Sequence, residues 1–285
     1  MIQISLKKLH SFREKTFRNS SQYRVNSQQE AVKFVNDRGF VFFWPVKGID
    51  LPSLWVAAAG DRPVPDEHDD PGHKTWGWKD NSLGKKVWYY AKLLRRRATF
   101  VSLDVAPSFY ALSPNFGEPE QDYLLQYQEG NLTVESKQVY EALLHNGPLD
   151  TISLKKEAHL SSMGSETRFN KALDDLQMEM KILPIGVAEV GSWNYAFIYD
   201  LTHRHFPALI DQARVISESQ ARFNLTCLYI NSVGAFQKEQ LGRLFRWEPQ
   251  QVIKVTSRMV EANVIVEAQS PVSPGVWYTL PQILS

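Results

Sequence analysis

The second half of the chain spells one order of elements twice, and few folds accommodate that order. In the first occurrence an amphipathic run from Glu135 to His145 meets Asn146-Gly147-Pro148-Leu149, and a short helical stretch follows. A longer helix is expected around Arg168 to Met180, closed by the β-rich runs Ile182-Leu183-Pro184-Ile185 and Tyr195-Ala196-Phe197-Ile198-Tyr199. In the second, Glu218 to Asn231 leads into Gly234-Ala235-Phe236 and a helix through Leu241, Leu244 and Phe245. A helix over Pro249 to Ala262 comes next, then Val264-Ile265-Val266 and Val276-Trp277-Tyr278-Thr279. Helix, turn, helix, helix, hairpin is the order of a winged helix, a frame common among nucleic-acid readers. The copies share few letters; what repeats is spacing, with Leu149 matching Phe236, Ile182 matching Val264 or Ile265, and Tyr195 matching Val276.

The first half reads as a less regular version. Ser27 caps a helix from Gln28 to about Arg38, where Ala31, Phe34 and Val35 recur at helical spacing, and Gly39 ends it. Phe40-Val41-Phe42-Phe43-Trp44 reads as a buried strand stopped by Pro45, and an apolar helix starts near Pro52 and covers Leu54 to Ala59. Residues 60–84, rich in Pro, Gly, Asp and His, read as a loop. A basic helix from about Lys85 to Arg97 is expected next, carrying Val87, Trp88, Ala91 and Leu94, then strands at Thr99–Leu103 and Phe109–Leu112. Pro114, Gly117, Pro119 and Gly130 mark a boundary. The expected fold is an α-rich α+β chain of three winged-helix-like units. They are an irregular one over 1–112, a linker at 113–131, and winged helices over 132–206 and 207–285.

With 43% hydrophobic residues in 285, such a chain can bury a core. Its longest apolar runs, such as Leu54–Ala59, are too short to span a bilayer, and Lys7 and Lys8 are not followed by an apolar signal core. A single cysteine, Cys227, leaves no disulfide framework, so a cytoplasmic protein is expected. The net charge of +1 hides a division. Residues 1–97 hold 18 Lys and Arg against 10 Asp and Glu, a net of +8; residues 98–285 hold 14 against 21, a net of −7. That asymmetry points to a polyanionic partner for the N-terminal third.

The third helix of each C-terminal copy would be the reading helix of a conventional DNA binder. The first carries Arg168, Asn170 and Lys171 beside Asp174, Asp175 and Glu179; the second carries Gln250, Gln251, Lys254 and Arg258 beside Glu248 and Glu261. Neither is a strongly basic face, and acidic side chains repel phosphate. A packing or protein-contact role fits the first as well as DNA reading does. Lys79, Lys85, Lys86, Lys92, Arg95, Arg96 and Arg97, interleaved with Trp76, Trp78, Trp88, Tyr89 and Tyr90, form the most nucleic-acid-like stretch. Its cations suit phosphates, and Trp76 and Trp78 are candidates for stacking on a displaced base. A helix with one apolar and one solvated basic side accounts for the same residues without function.

Asp66-Glu67-His68-Asp69-Asp70-Pro71-Gly72-His73 could supply ligands or a carboxylate, yet His68 and His73 match no zinc spacing, and a solvated acidic loop suffices. No metal is expected. Asp80 could cap a following helix or activate a water. There is no phosphate-cradling Gly-rich loop, nucleophile elbow or kinase signature, and no cofactor is called for.

The run Trp76-Gly77-Trp78-Lys79-Asp80, the segments Val87–Arg95 and Thr99–Leu103, and Gly39–Pro45, ahead of two winged helices, resemble the AlkZ-related proteins. These are distant relatives of the bacterial AlkZ/YcaQ-type DNA glycosylases that unhook interstrand crosslinks. The resemblance covers about residues 20 to 280 and implies a tandem winged-helix fold and a DNA substrate. Relatives with glycosylase activity carry an early Gln-x-Gln or Gln-x-Asp pair that handles the attacking water. Here the comparable region reads Phe42-Phe43-Trp44-Pro45, with neither amide nor carboxylate, and the chain's Gln-x-Gln, Gln126-Tyr127-Gln128, lies far downstream.

Three functions are therefore expected as alternatives. One is DNA binding, with phosphates held by Lys85, Lys86, Lys92 and Arg95 to Arg97, aided by Lys254 and Arg258. The second is base release by a relocated carboxylate, Asp80, Asp66 or Asp50. The third is a scaffold whose acidic winged helices dock a protein partner.

Overall fold

The computed structural model describes residues 2–67, 70–191 and 193–285. Among them the chain opens with α1 (Leu6–Phe17) and continues with α2 (Gln28–Arg38), β1 (Phe40–Phe42), α3 (Leu54–Ala59), α4 (Lys74–Asp80), β2 (Tyr89–Leu94) and β3 (Arg97–Val101). Two connecting helices follow, α5 (Ala106–Tyr110) and α6 (Pro119–Gln128). Next come α7 (Val134–Asn146), β4 (Leu149–Asp150), α8 (Thr151–Glu157), α9 (Glu166–Met178), β5 (Ile182–Ala188) and β6 (Ala196–Leu201). Short helices α10 (Thr202–His205) and α11 (Leu209–Arg214) lead to α12 (Glu218–Val233), β7 (Ala235–Phe236), α13 (Lys238–Phe245), α14 (Pro249–Glu261), β8 (Val266–Ser270) and β9 (Ser273–Thr279).

The same topology is written three times. Each unit runs helix, strand, helix, helix, strand, strand, and in each sheet the last strand lies in the middle: β1-β3-β2, β4-β6-β5 and β7-β9-β8, all antiparallel. That is the winged-helix arrangement, with the final hairpin as the wing. Local chemistry sets the helix starts: Ser27, Ser53, Thr133, Asp150 and Ser217 each cap a helix by accepting a backbone N–H with the side chain.

Among the described residues three large cores and a small cluster around Trp55 hold the units, and they are not one per unit. The middle unit has its own, around Leu143, Leu154, Phe169, Leu176 and Leu201. The sheet of the first unit is buried on both faces. Val41, Phe43, Trp88, Tyr90 and Phe100 face the unit's own helices with Phe34 and Leu54. Phe40, Phe42, Tyr89 and Ala91 face the opposite way, into a core shared with Tyr229, Phe236 and Leu244 of the third unit. The period-2 alternation of a strand here sorts side chains between two apolar cores rather than between core and water. Helix α1 packs on α12, and Arg13 binds the carbonyl of Val233 (2.8 Å) and the carboxylate of Asp50 (3.2 Å).

Several sequence expectations are corrected. Residues 85–97 form no helix. Lys85–Trp88 lead into β2, and Arg95 and Arg96 make the tight turn to β3 with φ of 56° and 55°. Phe109–Leu112 belong to α5 and its end, not to a strand, with Pro107 in the first turn of the helix. The 60–84 segment contains a 3-10 turn at Pro71–His73 and all of α4, so Trp76 and Trp78 sit on a helix. The 113–131 stretch contains α6, which packs on α7 and whose buried Asp122 accepts three backbone N–H groups from residues 116–118.

Candidate nucleic-acid interface

The basic residues singled out in the sequence do not share one surface. Lys79 is the clearest departure, being 4% exposed on the inner side of α4. Its ammonium lies 4.6 Å from the centroid of Phe197, 5.4 Å from Trp76 and 5.5 Å from Tyr195, with Phe43 and Tyr90 at 5.9 Å. It donates to the Tyr195 hydroxyl at 2.9 Å and pairs with Asp80 at 2.9 Å, while Tyr195 donates to Asp80 at 3.0 Å. Burial pushes the pKa of Lys79 down and the adjacent carboxylate of Asp80 opposes it. Lys79 therefore presents no exposed ammonium at the surface. Asp80 caps no helix, because a turn and then β2 follow it.

Lys92 and Arg96 face the middle unit. Lys92 pairs with Asp174 at 2.7 Å and Arg96 with Asp175 at 2.5 Å, both on α9, and Asp175 also holds Lys171. The Lys92 backbone N–H donates to Gln177 Oε1 at 3.1 Å. Since β2 is an edge strand, α9 lies along that edge and satisfies part of its unpaired ladder. The acidic C-terminal part of α9 thus docks on the chain's own hairpin, while Thr167, Arg168, Asn170 and Lys171 nearer its start stay exposed.

The corresponding helix of the third unit, α14, is open along one face. Gln250, Ile253, Lys254 and Ser257 form the outward face of α14. Arg258 is turned away from it, bonded to Ser219 and Gln220 and stacked 4.4 Å over Phe223. At the start of α14, Trp247, Glu248 and Gln251 line a cleft of about 420 Å³ with Arg95 and Arg246. Burial lowers the Arg246 pKa most, and the neighbouring charges of Arg95 and Arg96 lower it further against the opposing carboxylate of Asp175. Exposed Arg97 and Lys47 line the adjoining cleft, and Arg243 of α13 reaches the Gly48 carbonyl at 3.4 Å. Arg95 and Arg246 thus share one cleft, Lys47 and Arg97 line a second, and Arg243 reaches the backbone beside Lys47, so cations of the first and third units lie near one another. Lys47, Arg243 and Arg246 escaped sequence reasoning because only the fold brings them beside the hairpin. Lys85 and Lys86 are exposed before β2, and Lys86 lines a different, largely apolar cleft with His205 and Phe206.

The carboxylate candidates do not converge on a site. Asp50 is bound to Arg13, and Asp66 is exposed in the loop before α4. Trp76 is 40% exposed and packs with Trp44 and His73, whereas Trp78 is half-buried under the Lys74 ammonium. His68 and Asp69 lie outside the described residues. Among those described, no three His, Cys, Asp or Glu side chains gather as a metal site would require. No described helix is long and apolar enough to cross a membrane.

Three repeated units with a double-faced first sheet define a tandem winged-helix protein. The chain belongs to the AlkZ-related family, whose pattern matches residues 25–246. Among solved structures it is similar to the Streptomyces sahachiroi DNA glycosylase AlkZ. The two superpose with a TM-score of 0.59 at 13% identity, over 99% of this chain and 71% of that one. No curated protein matches the chain.

Proposed function

We propose that this protein binds duplex DNA along the stripe formed by Lys47, Arg95, Arg97, Arg243 and Arg246, with α14 of the third unit entering the groove. One observation carries the reading: α14 presents an exposed face with Arg95 and Arg246 gathered in the cleft at its start, whereas α9 carries Asp174 and Asp175, both already paired with the hairpin. Membership of the AlkZ-related family and the fold likeness to a DNA glycosylase support DNA as the polyanion. Arg96 and Arg258 take structural roles, and Lys79 is a buried cation. Titrating a labelled duplex with the protein over a range of salt tests it. Binding is expected to weaken steeply as salt rises, in proportion to the phosphates neutralised. Affinity that does not change with salt, or none at low salt, contradicts it.

A base-releasing reaction is the second reading, favoured by Asp80, which is tied to a tyrosine on the wing of the middle unit. Release of a base from alkylated or crosslinked duplex, lost in Asp80→Asn, is the result that reading requires. Release that persists at wild-type rate in Asp80→Asn removes Asp80 from it.

A further inference from the structure

Beneath the wing of the middle unit lies a cleft of about 410 Å³ that the basic stripe does not use. One wall is aromatic, with Trp193 at the wing tip, Tyr195 just before β6 and Phe197 on it; the other is polar, with Glu166, Asn170 and Asp174 of α9 and Lys92 of β2, whose ammonium pairs with Asp174. Trp193 is 89% exposed, a large apolar face left in water at the cleft mouth. The aromatic wall is held from behind. The Tyr195 hydroxyl is fixed between Lys79 and Asp80 at 2.9 and 3.0 Å, and the same buried ammonium sits under Phe197. Lys79 and Asp80, which the sequence offers as a phosphate contact and a catalyst, act here as positioning residues for that wall.

The chemistry of the cleft selects its occupant. The carboxylates of Asp174 and Glu166 disfavour a phosphate, and an aromatic wall with Tyr195 and Phe197 edge-to-face at 5.5 Å, opposite an amide, carboxylates and an ammonium, suits a planar group with both donors and acceptors on its edge. Lys92 is three residues before Arg95, so the cleft opens about 10 Å along β2 from the stripe, within reach of DNA held there. We propose that the cleft receives a single unstacked nucleobase, its face on Trp193 and Tyr195 and its edge toward Asn170, Asp174 and Lys92. This rests on the DNA-binding reading above.

The test compares a fully paired duplex with one carrying a single unpaired 2-aminopurine, following affinity by anisotropy of an end label and stacking by the emission of the base. Wild-type protein is expected to bind the unpaired duplex about tenfold more tightly, as one base–aromatic stack would give, and to quench its emission. Trp193→Ala, on an exposed side chain, is expected to abolish both the preference and the quenching while leaving paired-duplex affinity in place. Asn170→Ala is expected to weaken the preference. Equal binding of both duplexes by the wild type, or an undiminished preference in both variants, overturns the base cleft and leaves DNA binding standing. Absence of binding to either duplex at about 50 mM salt overturns both readings.

Discussion

The ammonium of Lys79 has exchanged water for aromatic rings, a tyrosine hydroxyl and a single carboxylate. Its folded pKa lies below the ordinary 10.5, so between the folded value and 10.5 the unfolded chain holds the extra proton. Stability therefore rises with pH across that window, and the desolvation penalty stands in full below it. Urea denaturation is expected to show the wild type gaining stability relative to Lys79→Met as pH climbs toward 10.5. Parallel pH profiles for the two proteins would mean that the cation keeps its solvation. Tyr195 shows why this cluster was illegible in the sequence. It stands 115 residues from Asp80, and nothing in the local pattern at Trp76–Asp80 announces a partner on a distant wing.

At the scale of elements, the hairpin β2–β3 is where sequence and structure part most. Val87, Trp88, Ala91 and Leu94 fall at helical spacing because a strand buried on both faces carries apolar residues at nearly every position. The turn lacks the Asn-Gly or Gly-Gly that normally announces two residues with positive φ; Arg95 and Arg96 occupy those places instead. Side chains in that conformation cost about 1–2 kcal/mol each. Arg95→Gly is expected to stabilise the protein by about 0.5–1 kcal/mol in thermal or urea unfolding, and to lower DNA affinity with a salt slope smaller by about one. A loss of stability would show that Arg95 is tolerated for a contact within the fold. The α9 dock makes a separate prediction. Asp175→Ala removes the partner of Arg96 and Lys171 and is expected to cost about 1–2 kcal/mol. A double-mutant cycle with Arg96→Ala is expected to give a coupling of about 1 kcal/mol, and additive effects would mean the pair is incidental. The C-terminal elements, by contrast, were legible almost end to end, because each helix there buries one face and each wing one side.

Across the whole molecule, the order of elements announced three units, but not how they share their cores. The shared core of the first and third units joins residues near Phe40 and Tyr89 to residues near Tyr229 and Phe236, a pairing no local periodicity encodes. Arg13 adds a polar tie at the same seam, to Val233 and Asp50. Arg13→Ala is expected to destabilise the chain by about 1–2 kcal/mol, whereas Asp50→Asn, at a more exposed partner, is expected to cost less than about 1 kcal/mol. An equal cost for both would place the energy in the ion pair rather than in the carbonyl bond. The charge division also takes a different form in three dimensions. Lys92 and Arg96 of the N-terminal surplus are paired by α9, and Arg95 shares a cleft with Arg246 of the third unit.

The salt dependence of duplex affinity, measured for the wild type, for the triple variant Arg95→Ala, Arg97→Ala and Arg246→Ala, and for Lys171→Ala on the docked helix α9, tests this account most directly. The triple variant is expected to bind more weakly at low salt, with a slope of log affinity against log salt smaller by about three, and Lys171→Ala to behave as wild type. Unchanged binding by the triple variant, or a loss confined to Lys171→Ala, would contradict the claim that cations of the first and third units hold the duplex backbone.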